Sequence, residues 1–84
     1  MKHFEYTPSG VCSRQIIFDL TDDNKIVNLH YIGGCDGNLK AISKLCEGQD
    51  AAKICSLLKG NLCRDKKTSC ADQLSKAIAK ALNE

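Results

Sequence analysis

The sequence predicts an α+β fold, in which a small antiparallel sheet of two or three strands is covered on one face by about three helices. β-Branched residues dominate the first third of the chain, whereas apolar residues recur every three or four positions in the remainder. The 84 residues suffice for a single domain over residues 1–84 and exclude a barrel or a two-domain cofactor cleft. The chain is therefore too short to be a large, self-contained enzyme.

A β-hairpin is predicted in the first third of the chain. Residues 12–20 and 25–32 are rich in β-branched side chains, and they flank a polar turn at residues 21–24. Three residues form the expected inner face of the second strand: Val27, Leu29 and Tyr31. Residues 4–6 predict a short further strand, which the following proline and glycine would end.

Two helices are predicted after the glycine pair at residues 33–34. Asp36 or Asn38 is expected to cap the first helix, which runs to Gly48. Asp50 is expected to cap the second helix, which stops at Gly60. Their expected inner faces follow the helical period: Leu39, Ile42, Leu45 and Cys46 in the first, and Ala51, Ile54, Cys55 and Leu58 in the second.

A third helix is predicted near the end of the chain, after a cation-rich loop over residues 61–68. Ser69 is followed three residues later by Asp72, which predicts a capping box with aspartate in place of glutamate. The expected buried stripe has helical spacing: Ala71, Leu74, Ile78 and Leu82.

Composition narrows the functional classes. A net charge of +2 and an aromatic content of two tyrosines and two phenylalanines do not favour nucleic-acid binding. The first 18 residues contain no apolar run long enough for a secretory signal or a membrane span, so we expect a cytoplasmic protein without a membrane partner. In the cytoplasm thiols stay reduced, and cysteines serve metal binding, redox chemistry or core packing. No Ser/His/Asp set or facing carboxylate pair is found, so no catalytic residue is assigned.

The six cysteines divide into two groups by their sequence context. Cys46 and Cys55 lie within the helical apolar stripes and are interpreted as small buried hydrophobic residues. The other four lie in loops or at the ends of elements, where ligands and nucleophiles are common: Cys12, Cys35, Cys63 and Cys70.

Three interpretations of these four cysteines stay open. Four thiolates can hold a structural zinc ion, although six residues separate the closest pair, which is wider than in zinc ribbons. Cys63 and Cys70 can instead form a redox dithiol, since the intervening cations favour thiolates. The four thiols can also be purely structural.

Two segments are weaker candidates for binding an anion or a nucleotide. The first runs from a strand into a helix and includes Gly34, Gly37 and Asn38. It lacks the lysine of a P-loop and contains an aspartate, so a tight glycine turn is the favoured interpretation. The second is the basic loop, with Arg64, Lys66 and Lys67. His30 lies on the polar alternation of its strand and is expected to be exposed.

The segments that carry these four cysteines resemble those of a known family. Residues 68–74, TSCADQL, resemble the signature of the TSCPD domain family, with Ala71 in place of the family's proline. Residues 6–13 are similar to the family's N-terminal segment, and residues 33–39 with 42–45 are similar to its central loop and helix. The resemblance covers nearly the whole chain.

The resemblance implies a relation to ribonucleotide reduction. The family includes small stand-alone bacterial proteins and the C-terminal domain of adenosylcobalamin-dependent ribonucleoside-diphosphate reductases, and its shared cysteines fall on Cys12, Cys35, Cys63 and Cys70. We therefore expect an accessory domain with a zinc site and no radical cofactor site of its own. The expected partner is a ribonucleotide reductase, another protein or a second copy of the chain. The alternatives are a thiol redox carrier that uses Cys63 and Cys70, or a module that binds a nucleotide, a nucleic acid or a protein through its basic loop. The association with a reductase leaves enzymatic activity open.

Overall fold

The structure, a computed structural model, describes residues 1–11, 13–34, 36–61 and 68–83. Within these ranges the chain forms three strands and three helices: β1 (Lys2–Tyr6), β2 (Ser13–Leu20), β3 (Ile26–Gly33), α1 (Asp36–Cys46), α2 (Ala51–Leu58) and α3 (Cys70–Leu82). The strands pair in the order β1-β2-β3, and both pairs are antiparallel. The α+β prediction is confirmed, with three strands in the sheet.

The core lies between the sheet and the helices. β2 alternates between buried residues and partly exposed ones, so one face of the sheet points into the core. α1 packs against β3, α3 packs against β2, and α2 packs against α3. The largest fully buried apolar side chains come from both layers: Ile16, Phe18, Ile26, Leu74 and Ile78. Within the described ranges no helix is long and apolar enough to cross a membrane.

A bulge at Asn28 changes which residues of β3 point inward. Asn28 has a φ of 58°, and the β2–β3 register shifts at this point. Asparagine tolerates this left-handed conformation far better than a β-branched residue does. Ile26 is consequently 0 % exposed, whereas Val27 is only half-buried. The expected inner face of Val27, Leu29 and Tyr31 is therefore wrong at its first residue, because a bulge interrupts the period of two.

α1 also differs from expectation. It begins at Asp36 and ends at Cys46, so Asn38 lies inside the helix and the helix stops before Gly48. Leu45 was expected in the core, but its side chain is 75 % exposed. Successive residues of a helix point about 100° apart. Because Cys46 faces the core, the Leu45 side chain points about 100° away from that direction and is exposed to solvent.

The caps of the other two helices form as expected. The Asp50 side chain accepts a hydrogen bond from the Lys53 amide at 3.1 Å, at the start of α2. The Ser69 side chain accepts one from the Asp72 amide at 3.0 Å, at the start of α3. Each cap satisfies a backbone donor that the first turn of a helix leaves unpaired.

Candidate functional site

Cys70 is the first residue of α3, and it meets the sheet at the start of β2. Its Sγ lies 3.5 Å from Oγ of Ser13, which is a buried side chain. Ser13 is also the register partner of Gly33, at the end of β3. The start of β2, the end of β3 and the start of α3 therefore converge at Cys70.

Cys70 is the one member of the predicted four-cysteine set within the described ranges. The other predicted ligands and the basic-loop residues lie outside the described residues: Cys12, Cys35, Cys63, Arg64, Lys66 and Lys67. Among the residues that the structure describes, no group of three or more histidine, cysteine, aspartate or glutamate side chains is arranged to hold a metal ion. The zinc site and the redox pair both stay predictions.

A buried tyrosine hydroxyl lies near Cys70. Tyr31 Oη is buried and has no hydrogen-bond partner among the described residues. Burial raises the pKa of Tyr31 well above its usual value, and the nearby thiols of Cys46 and Cys70 add to this effect. A buried donor without an acceptor costs about 1–3 kcal/mol. The sequence placed Tyr31 on an apolar face and carried no signal for this unpaired hydroxyl.

A buried carboxylate holds the segment before α3. Asp72 is 4 % exposed; its Oδ1 accepts a hydrogen bond from the Gly60 amide at 2.8 Å, and its Oδ2 accepts one from the Thr68 hydroxyl at 2.6 Å. The expected capping box is therefore half right, because Ser69 caps the helix while the carboxylate bonds to Gly60 and Thr68. The Thr68 hydroxyl first, and then the Gly60 amide, hold the pKa of Asp72 below its usual value. The Asp72 side chain thus connects Gly60 and Thr68, which lie on either side of residues 62–67 in the sequence.

Gln73 extends this polar network to the N-terminal segment. Its Nε2 donates to Thr68 Oγ1 at 3.0 Å, and its Oε1 accepts from the Ser9 amide at 3.2 Å. The backbone also comes close here, since a Cβ placed on Gly10 would lie 3.3 Å from Thr68 Cγ2. Gly10 has a φ of 72°, a conformation that glycine adopts without strain. Sequence reasoning missed Thr68 and Gln73, although both belong to the motif beside Cys70.

The two cysteines of the helical stripes lie as expected in or against the core. Cys46 is buried, and burial raises the pKa of its thiol. Cys55 is half-buried against the same core, and its thiol donates to the Ser75 carbonyl at 3.2 Å.

The first candidate anion segment lies between the end of β3 at Gly33 and the first turn of α1, which begins at Asp36. Gly33 and Gly34 both have positive φ, 78° and 88°. Gly37 and Asn38 follow inside α1 and are exposed. His30 is exposed, as expected. Whether the segment binds an anion stays a prediction.

Fold and site together define the class of protein. It is a small α+β domain in which a Thr-Ser-Cys-x-Asp-Gln motif surrounds a cysteine at the start of its last helix. A family model described as the TSCPD domain matches residues 1–82. The chain belongs to the TSCPD domain family. Comparisons with curated proteins and with solved structures give no match.

Proposed function

We propose that this chain is an accessory domain in ribonucleotide reduction, and that Cys12, Cys35, Cys63 and Cys70 hold a structural zinc ion in it. One observation carries the zinc proposal: Ser13 Oγ lies 3.5 Å from Cys70 Sγ while Ser13 pairs with Gly33. Residues that lie one and two positions from two other cysteines, Cys12 and Cys35, are thereby held near Cys70.

Chain connectivity supports a common site. Cys12 directly precedes Ser13, and Cys35 follows Gly33 by two residues. Successive Cα atoms are about 3.8 Å apart, so each Cα is tethered within about 8 Å of a residue of the Ser13–Gly33 pair. Cys63 follows Asn61 by two residues, and the Asn61 carbonyl accepts a hydrogen bond from the Ser69 hydroxyl, next to Cys70.

The chemistry of the donor set suits zinc. Four thiolates bind Zn²⁺ tetrahedrally, and structural zinc contributes directly to the folding of small domains. The net charge of about −2 on such a site would be offset by basic residues of the adjoining loop. Tyr31 lies in the same region of the fold, since, besides burial, the thiol of Cys70 contributes to the raised pKa of its buried hydroxyl.

Membership of the TSCPD family supports the link to ribonucleotide reduction. An 84-residue chain has no room for a reductase barrel, so its contribution would be binding rather than radical chemistry. The chain's own residues would tie the hairpin to α3 and present the surface around Cys70 to a reductase.

The zinc proposal is tested by elemental analysis of the reduced, untagged chain. We expect about one zinc per chain, with loss of structure on adding a chelator. Cys70→Ser should lose the metal. Cys55→Ser is the matched control and should keep it, because serine can donate the same hydrogen bond to Ser75. Less than about 0.2 zinc per chain together with folding that ignores the chelator would overturn the proposal.

The thiol chemistry separates the alternatives. A zinc-free protein in which Cys63 and Cys70 form a reversible disulfide would support a redox carrier instead. The reductase link has its own test, which is binding of the reduced chain to an adenosylcobalamin-dependent ribonucleoside-diphosphate reductase. Absence of binding by zinc-loaded protein would overturn the accessory role and leave the zinc site standing.

A further inference from the structure

The two edges of the sheet differ in what covers them. On the outer side of β3, the Ile26 amide donates to the Gln49 carbonyl at 2.9 Å. Further along the same edge, the Asn28 amide donates to Oε1 of Glu47 at 2.9 Å, and the bulge at Asn28 interrupts the strand. Covering segments and bulges are common protections of a sheet edge. β1 is the other edge strand, and it contains neither a register shift nor a proline.

The backbone of β1 presents hydrogen-bonding groups on its outer side. Both backbone polar groups of Ile26 bond to residues 48–49 and therefore point away from β2. Its register partner Leu20 consequently directs its own groups toward β1, and this direction alternates along an antiparallel strand. Following the regular β1–β2 register, the outward groups of β1 belong to His3 and Glu5. Among the described residues, these outward N–H and C=O groups have no partner.

The side chains of these two residues carry opposite charges on the face of the sheet that points away from the helices. His3 Nδ1 lies 2.6 Å from Oδ1 of Asp19, and His3 Nε2 lies 3.1 Å from Oε2 of Glu5. Because ionised carboxylates only accept hydrogen bonds, both ring nitrogens donate and the ring is cationic. The hydrogen bond to Asp19, and then that to Glu5, raise the pKa of His3 above its ordinary value. The strand thus exposes a cation and an anion two residues apart.

Antiparallel pairing of β1 with a second copy of itself matches these features. With a two-fold axis at Phe4, all five residues of the strand pair, and His3 lies opposite Glu5 of the partner subunit. Each such pair exchanges two backbone hydrogen bonds through the outward groups. Both ring nitrogens of His3 are already used, so its side chain adds attraction between charges rather than a further hydrogen bond. An axis at His3 or at Glu5 would oppose identical charges and pair fewer residues.

The side of β1 that faces the core adds an aromatic contact at the same axis. Phe4 is half-buried and stacks on Phe18, with ring centroids 5.5 Å apart. Phe4 would lie opposite Phe4 of the partner subunit in a pair without backbone hydrogen bonds, where side chains approach most closely. A groove of about 240 Å³ beside Phe4 is walled by Tyr6 and Ala77, and Lys80 at the groove is exposed. The partner would therefore cover apolar surface as well as the strand edge.

We propose that two copies of this chain pair through β1 and form a symmetric dimer, in which the two three-stranded sheets become one continuous antiparallel sheet. One short strand from each copy makes the contact, so the dimer belongs with the small, transient class of interfaces. The contact uses none of the four cysteines. It is therefore independent of the zinc site and of the accessory role.

The test is analytical ultracentrifugation of the full, untagged, reduced chain from about 10 µM to about 1 mM. We expect the mass to rise from 9.2 kDa toward twice that value. His3→Glu places a carboxylate opposite Glu5 of the partner subunit and should weaken the dimer at least about tenfold. His3→Lys is the matched control, because it keeps a cation at the same position and should keep the dimer. Circular dichroism checks that each variant is folded.

Glu5→Pro tests the backbone pairing separately. Proline removes an N–H that points outward, so the bonds between β1 and β2 remain, and edge strands tolerate proline at such positions. We expect this variant to stay monomeric. Amide hydrogen exchange on the unchanged protein gives a further measurement, since the amides of His3 and Glu5 should exchange more slowly at about 1 mM than at about 10 µM.

Four results would each overturn the proposal. The first is a chain that stays monomeric at about 1 mM. The second is equal dimer affinity for His3→Glu and His3→Lys, which would show that His3 does not face a charged partner. The third is a dimer that survives Glu5→Pro, because the contact would then lie elsewhere. The fourth is fast exchange of the His3 and Glu5 amides in a dimeric sample, and it decides the question even if a variant fails to fold.

Discussion

Replacing Asp72 with asparagine is expected to destabilise the fold by about 2–3 kcal/mol at pH 7. The carboxylate accepts two hydrogen bonds, from the Gly60 amide and from the Thr68 hydroxyl. A hydrogen bond to a charged group contributes about 1.5–3 kcal/mol, against about 1 kcal/mol for a neutral pair. Asparagine can keep the bond to Gly60 in the weaker form. Its amide nitrogen would face Thr68, whose hydroxyl already accepts from Gln73.

The lowered pKa of Asp72 determines how the destabilisation by Asp72→Asn changes with pH. The pKa of Asp72 is lowered in the folded state by Thr68 and Gly60, relative to about 3.9 in an unfolded chain. The charged carboxylate therefore contributes its full stabilisation above the unfolded pKa, and this is lost as the pH falls through the folded pKa. The difference in unfolding free energy between wild type and Asp72→Asn should shrink from about pH 5 downward.

The assay is urea denaturation followed by circular dichroism at pH 7 and at about pH 3. Asp22→Asn serves as the control, because the Asp22 side chain is fully exposed and pairs only with the N-terminal amine among the described residues. A loss below about 0.5 kcal/mol for Asp72→Asn at pH 7 would refute the assigned role of the carboxylate. A difference of the same size at both pH values would refute the linkage argument.

Three further predictions each test a separate feature of the structure. Tyr31→Phe should stabilise the metal-free chain by up to about 1 kcal/mol in urea denaturation, because it removes a buried hydroxyl with no partner among the described residues. A loss of stability on this substitution would contradict the absence of a partner for the hydroxyl. Ile26→Ala should cost about 2–5 kcal/mol and Val27→Ala clearly less; the reverse order would contradict the bulge. Cys46 should react with a thiol reagent more slowly than Cys55 in the native protein, since burial shields its thiol and raises its pKa; equal rates would argue against this burial.

The type and order of the elements could be predicted because local signals agreed with the tertiary structure. Asp50 and Ser69 cap helices as their sequence contexts indicated, and the glycine pair turns the chain between β3 and α1. The burial of Ile26 in place of Val27 could not be predicted from the alternation of apolar and polar residues along β3. It depends on Asn28 adopting a positive φ within a strand, and asparagine gives only a weak preference for that conformation.

The candidate site was only partly predictable for a different reason. Its cysteines stand out by their position at element ends, which a sequence displays directly. The roles of Asp72 and Gln73 depend on partners far away in the chain. Asp72 bonds to Gly60, and Gln73 bonds to Ser9, 64 residues before it. A capping pattern fixes where a helix starts, but it does not fix which long-range donor a buried carboxylate will face.

The polar residues around Cys70 favour a role in which the position of the thiol matters. A small domain gains little stability from buried polar groups unless each one is hydrogen-bonded, because burial removes their bonds to water. The described part of the chain nevertheless contains six buried polar side chains, all but one in or beside the first turns of α3: Ser13, Thr68, Ser69, Asp72, Gln73 and Ser75. The exception, Ser13, contacts the thiol itself. Asp72 fixes the segment before α3, and Gln73 fixes the segment before β2. If this network serves only stability, Thr68→Val should destabilise the fold and leave zinc affinity unchanged. If it positions the ligands, Thr68→Val should also lower zinc affinity about tenfold under conditions where the protein remains folded.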